Sequence, residues 1–409
     1  MSHDRPGVQR PSCEDVRLRG FSGRASVEEA TAWVDAHGER LGAEAIATRE
    51  ATGRVLAAPV EATVNVPEAA RSAEDGYAVR SRETIGAGAY NPLRFSLQPA
   101  TEPLREAAAA LVAAGAALPA GADAVLPFSA AQVDGAHLEV TGGVAEGMGV
   151  EREGQEVRAG AAPVAASRVL RPEDAGLLAS LRVERVLVMR RPRVRLVIAG
   201  PKGTSGVRHG DADGAMLTAL VARDGGVVES AVREAVGRKA LAAAIAAPGA
   251  DVVLVAGRTG TGPDDEAPLA LAEVGELALH GVALRPGGSA GLGVAGAEGA
   301  VPVVLLPGAP PACLCAYELL AGRLIRRLGG RAPGLPHAVR EAEVGGKIVS
   351  GVGSVDMCWV RFVEGRVDPI GSADEASLAS VVRADGFVLV PAPLEGHAPG
   401  ARVTVYLHG

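Results

Sequence analysis

Carboxylates are densest at Asp264-Asp265-Glu266, directly after the glycine-rich run Gly257–Gly262 (GRTGTG). Hard oxygen ligands at a loop–helix junction suit Mg2+ beside a bound phosphate. The same acids would also favour the N-terminus of the helix that follows. Lys202, Arg258 and Arg285 fall in three separate loops. A lone loop cation is usually a solvated surface charge, whereas three on converging loops, with backbone N–H groups at helix N-termini, suit phosphate or another oxyanion. The loops lack GxxxxGK[ST], and no GxGxxG opens a helix after the strand at 194–199, so neither a nucleotide hydrolase nor a dehydrogenase is supported. Asp75 sits in Ser72-Ala73-Glu74-Asp75-Gly76-Tyr77-Ala78-Val79, a turn leading into a strand. An Asp-Gly pair alone is usually only a turn. Asp211 and Asp213 precede a helix, where capping is the expected role. The histidines show no ligand spacing. The four cysteines (Cys13, Cys313, Cys315, Cys358) are scattered, as for reduced thiols of a cytoplasmic protein.

These loops need a scaffold, and residues 193–328 supply one. Strands at Val194–Ala199, Val227–Ala231, Asp251–Ala256, Leu277–Leu284 and Val301–Leu306 alternate with helices at Ala212–Arg223, Arg238–Ala246 and Pro311–Leu328. That alternation predicts a doubly wound, mostly parallel sheet, with ligands beyond the strands' carboxyl ends. Three strands run straight into the loops Gly200–Gly206, Gly257–Gly262 and Pro307–Pro311, which should surround one site. Upstream, Ser26 and Glu29 form a capping box for a helix at Val27–His37, and Pro172 opens a second helix over Leu170–Leu181. Residues 44–55 read as helix or extended lead-in. Short alternating pieces (Leu93–Leu97, Ala124–Phe128, His137–Val140) mark an inserted β-rich module, and Val355–Val363, Gly386–Val390 and Ala401–Leu407 a C-terminal β domain. The expected boundaries are a flexible tail (1–25), an N-terminal α+β part (26–81 with 158–190), the β-rich module (82–157), the α/β domain (191–335) and the C-terminal β domain (336–409).

The 409 residues are 48% apolar, too many for a disordered chain, and a net charge of −7 argues against general polyanion affinity. Aromatics at 3% also speak against base-stacking surfaces, so no nucleic-acid partner is expected. No segment is long and apolar enough to span a membrane, and the N-terminal residues lack the apolar region of a secretory signal.

Ordered motifs from about residue 26 onward resemble the molybdopterin molybdenumtransferase family, whose animal relative is the gephyrin E domain. Gly53-Arg54-Val55-Leu56-Ala57 followed by Pro67 and Ser72–Val79 looks like its first signature, and Leu118-Pro119 with Gly121-Ala122-Asp123-Ala124-Val125 like its second. Gly154-Gln155-Glu156-Val157 parallels a Gly-Glu-Asp stretch, Arg191-Pro192-Arg193-Val194 the approach to the α/β domain, and Pro307-Gly308 the start of a Pro-Gly-Asn-Pro loop. The resemblance implies four domains with an elongated N-terminal part. It also implies a homodimer in which the Asp75 loop faces the α/β domain of the other subunit. The implied reaction uses adenylylated molybdopterin, molybdate and a divalent cation such as Mg2+, and releases AMP.

The likeness thins where that chemistry should sit. The family's Thr-Gly-Asp-Glu is here Ala199-Gly200-Pro201-Lys202, and its Ser-Gly-Gly-Val-Ser loop is Ala256-Gly257-Arg258-Thr259-Gly260. Its Gly-Asp-Tyr-Asp becomes Gly262-Pro263-Asp264-Asp265, its Lys-Pro-Gly-Lys-Pro becomes Arg285-Pro286-Gly287-Gly288-Ser289, and a family Thr becomes Ala114. Carried over by position, the catalytic set is Asp75, Asp265 and Glu156, with Asp265 and Asp264 on the metal. Ser72, Gly200, Lys202, Gly257, Arg258, Gly262, Arg285, Pro307 and Gly308 would bind the cofactor. Two readings compete: a molybdenumtransferase with a rebuilt site, or a non-catalytic molybdopterin carrier or chaperone. A molybdopterin adenylyltransferase or a client molybdoenzyme would be the further partners.

Overall fold

The structure, a computed structural model, describes residues 15–200, 211–296 and 301–408. Lys202, the rest of the 201–206 loop, Cys13 and the first 14 residues of the expected tail lie outside them. The chain divides into two compact units, residues 45–188 and the remainder.

The larger unit is built on a six-stranded sheet, ordered Val227–Ala235, Arg193–Ala199, Val252–Ala256, Val301–Leu306, Gly291–Ala295, Gly275–His280. The first four are parallel and the last two antiparallel. Period-two alternation divides the buried residues between the two faces. Val194, Leu196, Leu254 and Val304 pack with Leu217 and Val221 of helix Ala212–Arg223 and with Tyr317, Leu324 and Ile325. On the other face Val197, Val253, Val255 and Leu305 meet Leu241 and Ile245 of helix Arg238–Ala246 and Leu271 of helix Ala267–Val274. The sheet is therefore doubly wound and mostly parallel.

One expected strand, Leu277–Leu284, is divided. Gly281 turns the chain at φ +88°, and Leu284–Arg285 crosses to pair with Val355–Asp356 of the C-terminal sheet. The long closing helix runs as Pro310–Ala316, a π turn over Tyr317–Ala321 and Gly322–Leu328. The C-terminal sheet pairs Val355–Val363 with Arg366–Pro369 and Gly386–Val390, and Val339–Glu343 with Arg402–Leu407, all antiparallel. Met357 and Trp359 face the α/β core, whereas Cys358 and Val360 face the domain's own.

Residues 15–25, expected to belong to a flexible tail, are bonded into this unit. Leu18 N donates to Thr261 O at 2.8 Å, Ala25 N to Gly281 O at 3.0 Å, and Ala283 N to Ala25 O at 2.8 Å. Polar composition suggested a loose tail, but backbone pairing needs no apolar side chains.

The second unit holds a six-stranded sheet ordered Ala124–Pro127, Gly76–Val79, Ala108–Val112, Leu93–Gln98, His137–Val140, Ala131–Asp134. Its main core is Tyr77, Val79, Phe95, Leu126, Leu138 and Val140. Helix Pro172–Ser180 closes a separate cluster through Leu178, with Leu56, Val186 and Val188. Residues 44–55 take the extended alternative: strand Ala43–Ala47, then a 3-10 turn at Thr48–Glu50. Among the described residues, no helix is long and apolar enough to cross a membrane.

Candidate functional site

At the carboxyl ends of the parallel strands the loops meet. Gly257 has φ +92°, and a Cβ there would lie 3.3 Å from Ala199 O. A Cβ at Gly308 would lie 3.0 Å from the Gly257 Cα. Glycine is thus required by both conformation and approach, and it leaves bare backbone at the confluence. Gly257 N donates to Leu306 O at 2.9 Å, and Pro307 is buried while Gly308 is exposed. Arg258 follows with φ +58°, a left-handed position costly for a residue with a side chain, and its Nε donates to Gly200 O at 3.1 Å. The first loop's start, the second loop and the third are therefore joined through Gly200, Gly257, Arg258 and Gly308.

The acidic end of the second loop is self-bound. Asp265 Oδ2 accepts from Gly262 N at 2.7 Å, and a Cβ at Gly260 would meet that oxygen at 2.8 Å. Arg258 Nη1 stands 3.9 Å from Asp264 Oδ2. Thr259 is buried, its hydroxyl 3.1 Å from that of Ser289 and its carbonyl 2.9 Å from His280 Nε2. Burial holds His280 below the usual imidazole range. Among the described residues, no three His, Cys, Asp or Glu side chains gather as a metal site. Two carboxylates at a loop–helix junction are nevertheless what Mg2+ takes from a protein when substrate phosphates and water fill its remaining positions, so the donor set fits.

Arg285 has different ion-pair partners from Arg258. It is shared between Asp356, fully buried, at 3.2 Å and Asp374 at 3.4 Å, and it lines a cavity of about 580 Å3 with Thr261, Ser289 and Asp374.

In the other unit, Asp75 is exposed and its Oδ1 accepts from Ala114 N at 2.8 Å. The bond comes from backbone, so alanine in place of the family's Thr leaves it intact. The turn that offers this N–H also clasps Ser72, through Gly115 N to Ser72 O (2.7 Å) and Ser72 N to Ala116 O (2.9 Å). Ser72 is buried, and its hydroxyl is occupied by Glu74 O. Glu156 is exposed on a turn held by Val66 O and takes no part in the Asp75 contacts. Asp75, Ser72 and Glu156 thus belong to one unit, and Gly200, Gly257, Arg258, Gly262, Asp264, Asp265, Arg285, Pro307 and Gly308 to the other.

One group escaped the sequence reading. Asp211 caps the helix by accepting from Gly214 N at 2.8 Å, which leaves Asp213 without that role. Burial pushes the Asp213 carboxyl up to about 6, and its Oδ1 finds no hydrogen bond among the described residues. A carboxyl raised in the fold weakens it as pH climbs from the unfolded value through the folded one. Asp213→Asn is therefore expected to stabilise the protein at pH 8 by on the order of 2 kcal/mol, and not at pH 4. Urea unfolding at both pH values checks this; an equal gain at both would exclude ionisation as the cause.

Three family models match in chain order: "MoeA N-terminal region (domain I and II)" over residues 25–181, "Probable molybdopterin binding domain" over 197–327 and "MoeA C-terminal region (domain IV)" over 341–408. Molybdopterin molybdenumtransferase 1 of Mycobacterium tuberculosis is 29% identical over 437 residues, covering 93% of this chain and 98% of that protein. The molybdopterin molybdenumtransferase of Bacillus subtilis is 24% identical, covering 89% of each. The crystal structure of a molybdopterin biosynthesis MoeA protein from Pyrococcus horikoshii superposes with a TM-score of 0.75 at 27% identity, covering 94% of this chain and 99% of that one. Matched from its N-terminal region to its C-terminal domain, the chain belongs to the molybdopterin molybdenumtransferase (MoeA) family.

Proposed function

We propose that this protein acts in molybdenum cofactor biosynthesis, transferring molybdenum from molybdate to adenylylated molybdopterin with release of AMP. The observation that carries the reading is the meeting of Gly200, Gly257–Arg258 and Gly308 at the strands' carboxyl ends, beside Asp264 and Asp265. Bare backbone there admits a phosphate closely, and Arg258 supplies a cation oriented by Gly200 O. Mg2+ held by Asp264 and Asp265 would stabilise charge on the breaking phosphoanhydride. Arg258 would hold the anion against the loop, and the Gly262–Asp265 bond keeps the loop in shape for it. The names of the Mycobacterium and Bacillus relatives support the transferase activity. Asp75 and Glu156 would act in a homodimer whose sites are shared between subunits, Asp75 facing the α/β domain of the partner subunit.

A carrier that binds molybdopterin without turning it over is favoured by one observation: Asp265 is engaged by its own loop and Asp264 faces Arg258. Metal dependence separates the two. With adenylylated molybdopterin and molybdate, the purified protein is expected to release AMP with Mg2+ and not with EDTA. Tight pterin binding with no AMP under either condition would sink the transferase and leave the carrier.

A further inference from the structure

The segment 15–25 lies before or at the very edge of the family-matched region, which opens at residue 25. It runs first along one site loop and then along another. Arg17 Nη1 donates to Pro263 O at 3.3 Å and Leu18 N to Thr261 O at 2.8 Å, while Ala25 pairs with Val282. Between these anchors Phe21 and Arg24 line the 580 Å3 cavity that also holds Arg285 and Ser289.

Arg24 is oriented, and among the described residues no carboxylate pairs with it. Its guanidinium carbon lies 4.9 Å from the Phe21 ring centroid, and its Nε donates to Gly288 O at 3.2 Å. Phe21 is itself fixed, edge-on to His280 at 5.0 Å and so close to Gly281 that a Cβ there would come within 2.7 Å of its Cδ1. The two Nη groups of Arg24 make no hydrogen bond or ion pair among the described residues. Arg285, the second cation of the cavity, is by contrast divided between Asp356 and Asp374. A guanidinium already stacked and hydrogen-bonded loses little freedom on binding, and its outward N–H pair matches two oxygens of a tetrahedral anion.

We propose that Arg24 is a binding residue for a phosphate-class oxyanion of the substrate, with Phe21 its positioning residue, so that the N-terminal strap completes the site. The identity of the substrate rests on the reading above, whereas the anion site rests on the cavity itself.

The test titrates inorganic phosphate and, separately, adenylylated molybdopterin in EDTA into the full-length protein, its Arg24→Ala variant and its Arg24→Lys variant. Loss of a charge-assisted bidentate contact should weaken both ligands about tenfold or more in Arg24→Ala, with Arg24→Lys between. Unchanged tryptophan fluorescence would show the strap's loss of one side chain has left the fold intact. If wild type and Arg24→Ala bind equally, or wild type binds neither ligand, the inference is overturned. Arg24-dependent binding of phosphate with no binding of the pterin would uphold the anion site and overturn the substrate assignment instead.

Discussion

Asp224→Ala is expected to destabilise the larger unit by about 3–5 kcal/mol, the penalty for stranding a buried charge. Asp224 is fully buried at the end of helix Ala212–Arg223. It accepts from the Tyr317 hydroxyl at 3.0 Å and from Arg223 Nη2 at 3.0 Å, and it pairs with Arg326 Nη1 at 3.0 Å. Arg223 would keep Glu318, which it grips at 2.6 and 2.9 Å. Among the described residues Arg326 has only Pro333 O besides, and it is 3% exposed. Alanine therefore leaves a buried guanidinium with no counter-charge. Asp224→Asn keeps hydrogen-bonding oxygen without the charge and should cost less. Both tryptophans, Trp33 and Trp359, lie in this unit, so their fluorescence in urea follows its unfolding apart from residues 45–188. A loss under about 1 kcal/mol would show that the cluster reorganises, since surface-like pairs are worth no more than that.

The same cluster accounts for the π turn. A regular helix through Tyr317–Ala321 would change which way Tyr317 and Glu318 project, and these two reach Asp224, Arg223 and His337 (3.3 Å from Glu318). Burial raises the Glu318 carboxyl, but the neighbouring His337 and the bonds from Arg223 outweigh it and hold it below the ordinary glutamate range. A carboxyl depressed in the fold adds stability above its unfolded value, and that stability is lost as pH falls through the folded one. Acid should therefore loosen the helix that begins at Pro310, right after the Pro307-Gly308 loop.

What could be read from sequence was whatever short-range rules dictate. The Ser26–Glu29 capping box forms in both directions, at 3.1 and 2.7 Å, because its partners are three residues apart. The parallel strands were legible as apolar runs ending in glycine loops, and the meeting of Gly200, Gly257–Arg258 and Gly308 follows from strand direction. Strand Gly291–Ala295 was not among the expected strands, since two of its five residues are glycines. A Cβ at Gly293 would collide with Glu276 O of the neighbouring strand, and one at Gly275 of that strand with Val294 O. Long-range contact, which composition does not encode, chose those residues. The docked strap at 15–25 and the displaced role of Asp213 were hidden for the same reason. Motif position named Asp265 and Asp75, but only geometry shows that Asp265 closes its own loop and that Asp75 is held by backbone.

That difference in bonding makes Asp75 the cleaner probe of the reaction. Asp75 is exposed and has one hydrogen bond among the described residues, so Asp75→Ala should cost no more than about 1 kcal/mol of stability. If it acts on the substrate, AMP release should nevertheless fall by about a hundredfold or more, the scale for losing a group that stabilises developing charge. An unaltered rate would remove Asp75 from the reaction. Asp265→Ala should lower both, because it removes the Gly262 bond as well as a carboxylate, and the two losses are separated by unfolding measurements. The pair then tests where the site is assembled. In a shared site each complete centre takes Asp75 from one subunit and Asp265 from its partner. A heterodimer of the two variants then has one intact centre and one lacking both groups. Random exchange makes half of the dimers mixed, so about a quarter of wild-type activity should return. Sites contained within one subunit would return none, because every centre would still lack one carboxylate.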